Sequence, residues 1–371
     1  MIRIGMIGLG YWGPNLLRNF ASLPDVQVTA ICELSRERLQ QASTQFPMAK
    51  VTQQVEEVLS RDVVDAVVIA TPTKTHYTLA TQALQQGLHT FVEKPLATSS
   101  HECDRLIELA ACRDRVLFVG HVFLYTAAVC KLRELVVCGE LGEVCYINST
   151  RLNLGPIRQD VNALWDLAVH DISIILEIMG SAPVSVNCQG LAYLNKQIHD
   201  VCIMTLHFSD ERMATLHVSW LDPNKTRVMT IIGSEKMAIY DDTQPVDKIK
   251  VFDKGVQACT DAVGQYAFHY RYGDTYIPYL PQIEPLRAEC QHFIDCIQHN
   301  KIPKTDGYNG LEVVRVLEGA DQSLREGGRK VDLQPCPNLR PDVQDLSFHA
   351  ELLDMTTTSG YRNGTSTPLP S

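Results

Sequence analysis

The sequence of 371 residues has no run of about eighteen apolar residues, the length a bilayer crossing requires, so no membrane span is expected. It has no lysine and arginine cluster long enough to track phosphates. With a formal charge of −10, that excludes nucleic acid as a partner. Twelve cysteines are scattered along the chain without a single Cys-x-x-Cys pair. That spacing makes neither a zinc site nor a small disulfide framework, and no metal is expected. Free thiols in a reducing compartment fit it better. No internal repeat is evident. A strand pattern beginning at residue 2 leaves no room for a signal peptide, and the expected location is the cytoplasm. What is present is an ordinary composition, 45% hydrophobic and 20% charged, and length enough for two cores.

Residues 1–121 alternate strand and helix patterns. Strands are predicted at 3–7, 26–32, 64–70, 89–92 and 116–119, with helices between them. The run at 64–70 is apolar throughout, as a strand buried on both faces should be. Repeated βα units with short connections imply a doubly wound parallel sheet, an α/β fold. In residues 122–332 strands follow one another without helices, at 144–152, 184–193, 200–208, 213–220, 227–232 and 238–241. That predicts an antiparallel sheet. One helix over 162–179 interrupts it, and two more are expected at 284–299 and 308–325. Residues 333–371, rich in Pro, Ser, Thr, Gly and Asn, are expected to form a tail.

Two motifs carry chemistry. Gly8-x-Gly10-x-x-Gly13 follows a strand and opens a helix. Gly8 permits the turn, Gly10 lets a pyrophosphate reach backbone N–H groups, and Gly13 lets the helix pack on the strand. Tyr11 and Trp12 lie inside the same loop, and the helix N-terminus faces the phosphates. Glu33, twenty residues after Gly13, can accept both ribose hydroxyls and would repel a 2′-phosphate. That favours NAD over NADP, although Arg36 nearby is able to pair with a phosphate. After the 64–70 strand, Thr71, Pro72 and His76 are placed to touch the nicotinamide ribose.

The second motif is Glu93-Lys94-Pro95, at the end of a later strand. A lysine there can hydrogen-bond a substrate hydroxyl and stabilise charge as its proton leaves. On a loop by itself it would read as a surface residue. The 162–179 helix changes that reading. Asn162, Asp166, His170, Ser173 and Glu177 are spaced to share one face, with Asp171 beside them. A solvent face would carry lysine, and this one has none. Histidine titrates near neutrality, so His170 can take a proton and return it, while Asp166 orients the substrate or His170.

With these pieces in order, the chain resembles the glucose-fructose oxidoreductase / inositol dehydrogenase family (Gfo/Idh/MocA) over roughly residues 1–330. The matching segments are Gly8 to Gly13, Ala70-Thr71-Pro72 with His76, Glu93-Lys94-Pro95, and Trp165 to Asp171. The resemblance implies a Rossmann domain followed by an α/β domain with a large open sheet, used for contacts in a homodimer or homotetramer. It implies that Lys94, Asp166 and His170 are catalytic, with His170 the acid/base and Glu93 at the cofactor. Residues 11–18, 149–155 and 165–171 are similar to members that modify nucleotide sugars, some at the 3-hydroxyl of UDP-N-acetylglucosamine-type substrates. Tyr125, Arg151, Asn153 and Arg158 are the implied substrate contacts. The chain departs from those members at Tyr125-Thr126-Ala127, where they tend to have Tyr-Asn-Pro. The leading expectation is an NAD-dependent dehydrogenase of a UDP-N-acetyl-hexosamine or its uronate at C3. Inositol or free-sugar oxidation, NAD-dependent glycoside hydrolysis and a non-catalytic dinucleotide sensor stay open beside it.

Overall fold

The computed structural model describes residues 1–260 and 266–334. The first sheet consists of β1 (Ile2–Ile7), β2 (Val26–Cys32), β3 (Lys50–Thr52), β4 (Ala66–Ile69), β5 (His89–Glu93) and β6 (Leu117–Gly120). All pairings are parallel, in the order β3-β2-β1-β4-β5-β6. The strands read Val, Ile, Phe and Ala because both faces are covered, by α1 (Gly13–Ala21), α2 (Arg36–Gln45), α3 (His76–Gln85) and α4 (Ser100–Arg113). Ser35 caps α2 and Ser99 caps α4. The order reverses between β1 and β4, which opens the crevice where doubly wound sheets hold ligands.

After α5 (Ala127–Val137) the second sheet begins. Its strands are β7 (Val144–Leu154), β8 (Ser185–Leu191), β9 (Val201–His207), β10 (Met213–Ser219), β11 (Leu221–Gly233), β12 (Met237–Asp241), β13 (Ile249–Thr260), β14 (Tyr266–Tyr276) and β15 (Val331–Asp332). Their order is β14-β13-β12-β11-β7-β10-β9-β8-β15. Every pairing is antiparallel except β7 with β10, which the chain joins only after α6 (Val169–Met179), β8 and β9. One face packs against helices through residues such as Ile147, Met204, Leu206 and Leu216; the other is open. The hairpin of β13 and β14 was not expected. Alternation reveals a strand only when one face is buried, and here Val256, Tyr270 and Tyr272 are all exposed.

The expected 162–179 helix is two pieces. Leu164–Ala168 is a turn of π-helix that runs into α6, and Gly180, at φ 64°, ends it. The wider turn breaks the single face, and its polar residues reach different neighbours. Asn162 bonds Asp321, Ser173 bonds the His170 carbonyl, and Glu177 pairs with Lys304 at 3.2 Å.

The last helices, α7 (Pro285–His299) and α8 (Gly307–Arg325), turn back onto the first sheet. Phe293 of α7 meets Phe20, Phe91 and Phe118 at centroid distances of 5.4–6.1 Å. Leu311 and Val314 of α8 join the core on the opposite face. The backbone just before α8 lies on the outer edge of β6, where Val119 N–H donates to the Thr305 carbonyl at 2.8 Å. Most of the expected tail lies outside the described residues. Leu333, at its start, packs on the core and bonds the Val184 carbonyl.

Candidate active site

The β1–α1 turn forms a cradle. Gly8 has φ 93°, and a Cβ there would stand 2.7 Å from the Ala70 carbonyl oxygen. A Cβ on Gly13 would collide with the Gly8 carbonyl oxygen. Gly10 is different: its missing side chain leaves open space, and no side chain caps α1. Unclaimed N–H groups and room above them fit a pyrophosphate. At the end of β2, Glu33 accepts from Leu9 N–H (2.6 Å) and Ser35 N–H (2.9 Å), which fixes its carboxylate beside the cradle. The arginine near it is Arg38, at 4.0 Å, while Arg36 faces solvent. Tyr11 is 95% exposed and Trp12 half-buried. These residues fit a dinucleotide whose ribose hydroxyls meet Glu33.

His76 takes a different position from the one expected. It is buried, and its ring lies between two carbonyls, Pro95 at 2.8 Å and Thr71 at 2.9 Å. It ties the Thr71–Pro72 loop to the Lys94–Pro95 loop, whose peptide bond is cis, instead of reaching a ribose. Thr71 Oγ1 meets Thr75 Oγ1 at 2.7 Å.

The candidate catalytic groups lie together where β5 and β6 end. Burial pushes the Glu93 carboxyl up to about 7, against the Lys94 charge and the hydrogen bonds from Lys94 N–H and Trp12. Burial also pulls the Lys94 ammonium down, against Asp166 and Glu93, which favour its charge. Asp166 is held by Trp220 Nε1 (3.0 Å) and the Arg158 guanidinium (3.4 Å), and Arg158 is shared with Asp160. Burial, then the Lys94 and Arg151 charges, drive His170 well below the usual histidine value. His170 is therefore neutral near pH 7, with Nδ1 enclosed and unpartnered among the described residues. Phe123 stands between it and Arg151, 4.8 Å from the imidazole and 4.9 Å from the guanidinium.

The implied substrate contacts divide. Arg158 borders the centre. Arg151 is buried in an ion pair with Asp171, which Ser149 also bonds at 2.8 Å. Asn153 is half-buried near the end of β7. Tyr125 is fully buried, its hydroxyl 3.0 Å from that of Thr305 and its ring against Phe118 of β6 and His292 of α7, so it belongs to the core between β6 and α7. Sequence reasoning missed His121, Phe123, Trp220 and Arg38. His121 alone carried a signal, its place at the carboxyl end of a strand.

A family model described as the oxidoreductase family, NAD-binding Rossmann fold, matches residues 2–121. A second, the GFO/IDH/MocA C-terminal domain, matches residues 129–239. The chain belongs to the GFO/IDH/MocA oxidoreductase family. Within it, the chain is 25% identical over 324 residues to UDP-N-acetylglucosamine 3-dehydrogenase of Acidithiobacillus ferrooxidans, covering 84% of this chain and 94% of the relative. It is equally 25% identical over 349 residues to myo-inositol 2-dehydrogenase of Thermotoga maritima, covering 88% and 97%. The fold is shared with GenD2 from gentamicin A biosynthesis in complex with NAD, at a TM-score of 0.76 and 23% identity, over 90% of this chain and 97% of that one. This GFO/IDH/MocA member is an NAD-binding dehydrogenase. No helix among the described residues is long and apolar enough to cross a membrane.

Proposed function

We propose that the enzyme oxidises a sugar secondary alcohol, with a UDP-N-acetyl-hexosamine or its uronate, reacting at C3, as substrate. The observation that carries this is the convergence of Lys94, Asp166 and His170 beside the Gly10 cradle. NAD bound in the cradle supplies the hydride acceptor at nicotinamide C4. The ammonium of Lys94 donates to the oxygen of the reacting hydroxyl, and the carboxylate of Asp166 orients the substrate. His170, neutral and with Nδ1 enclosed, takes the hydroxyl proton at Nε2 as the carbon gives up its hydride. The nucleotide part rests on the likeness to the UDP-sugar dehydrogenase and on Arg158 at the rim of the centre.

An inositol substrate is the second reading. The inositol dehydrogenase is as similar. In addition, Arg151, Arg158 and Arg227 are each paired with a carboxylate, so a diphosphate would have to displace one. NADH absorbance with UDP-N-acetylglucosamine, its uronate, free sugars and inositols separates the two. Reduction with the UDP sugars supports the first reading; reduction with inositol alone replaces it. In the active pair, His170→Ala should lower kcat by about 10²–10⁴ and leave NAD affinity intact. A rate near the wild-type value would remove His170 as the base. The open sheet face, with Tyr146, Ile203 and Met213 uncovered, supports a homodimer or homotetramer formed through that face.

A further inference from the structure

One enclosed titratable group at this centre has no part in the steps above. Glu93 and Gly120 pair in register across β5 and β6, so Lys94 and His121 leave adjacent strands side by side at the carboxyl edge. His121 is 1% exposed, and both ring nitrogens are enclosed without a partner. A buried polar atom left unmet is destabilising, and about nine in ten such atoms are paired in native interiors. Two on one ring, beside the candidate centre, leave an acceptor free for a neighbouring donor. The charged and titratable groups facing the ring are Lys94 from β5 and His170 from α6. Burial, then the Lys94 charge, pushes His121 down to about 3, so it presents one lone pair and one N–H at working pH. Lys94 Nζ makes no hydrogen bond among the described residues, though Glu93 and Asp166 favour its charge and Arg158 and Arg151 oppose it.

We propose that His121 is a positioning residue that accepts a hydrogen bond from the Lys94 ammonium in the NAD-bound enzyme, keeping that ammonium charged and aimed at the reacting hydroxyl. This rests on the role given to Lys94 above. His76 and His170 also neighbour Lys94, but neither stands in for this bond. His76 is spent on two carbonyls, and His170 is the proton acceptor.

Taking away the acceptor removes an interaction that is stronger with the charged form than with the neutral amine, so the Lys94 pKa falls. The test reads Lys94 itself. Full-length protein saturated with NAD is labelled with acetic anhydride across a pH series, and the Lys94 peptide is quantified by mass spectrometry. His121→Phe keeps an aromatic ring, somewhat larger, and removes both nitrogens; His121→Asn keeps an acceptor. The Lys94 midpoint is expected to fall by about one pH unit, tenfold in proton affinity, in His121→Phe. It should return most of the way in His121→Asn. His121→Leu replaces the Phe variant if that one melts early. Equal midpoints in wild type and in the Phe or Leu variant overturn the proposal, because a packing role moves the melting temperature and not this titration. A shifted midpoint in a protein that oxidises neither UDP-N-acetylglucosamine nor myo-inositol keeps the proposal and sinks the substrate reading instead.

Discussion

Glu289 shows what a single buried carboxyl does to this protein. It is 0% exposed on α7, and neither oxygen has a partner. Burial, helped by the neighbouring Glu93 charge, raises its pKa well above the ordinary carboxyl value. As pH rises past that ordinary value, the unfolded chain ionises Glu289 and the folded chain does not. Stability is therefore lost with rising pH until the folded value is reached. Glu289→Met fills the same space without the penalty. It should raise stability by about 1–3 kcal/mol at neutral pH and by less near pH 5, read as melting temperature against pH. A gain independent of pH would mean that packing, not protonation, is responsible. The same reading applies to His170, kept neutral by burial and by the Lys94 and Arg151 charges around it.

At the scale of elements, the site is a set of strand ends and loops held in register. His76, opening α3, joins two of those loops. His76→Ala removes the one hydrogen bond that a neutral imidazole can donate to these carbonyls, worth about 1 kcal/mol net, and should weaken NAD binding about fivefold with a smaller change in kcat. Fluorescence titration with NAD checks it; unchanged affinity would show that the loops hold themselves. Much of this framework was legible in the sequence. The glycine spacing, the all-apolar β4 and the Glu-Lys-Pro strand end each have a local cause, so Gly10, Glu33 and Lys94 could be placed from their neighbours. The rest depended on distant contacts. Nothing local marks the π-turn at Leu164–Ala168, which sends Asn162 to Asp321 and Asp166 to Trp220 and Arg158. Nor does anything local show that Tyr125 would be sealed against Thr305, or that His76 would find two carbonyls. The β13–β14 hairpin was hidden for the opposite reason, because it buries too little to leave a pattern.

For the whole molecule, the nine-stranded sheet has one face on α6 and α8 and the other bare. Ile203, 55% exposed, lies on β9 between Gln189 of β8 and His217 of β10. If copies of the chain pair through this face, Ile203→Asp buries a charge without a partner. The expected result in light scattering is a shift to a smaller species with the melting curve little changed. An unaltered mass would place the contact elsewhere.

The chain closes on itself in a way that matters while it is being made. The outer edge of β6 is covered by the backbone at Thr305, and the aromatic cluster around Phe91 is completed by Phe293. On a ribosome, the dinucleotide half emerges first, with that edge unpaired and the apolar flank uncovered until the last helices appear. The half that comes first in the sequence is therefore the half that must wait, and a chaperone holding the nascent segment would have its grip at β6.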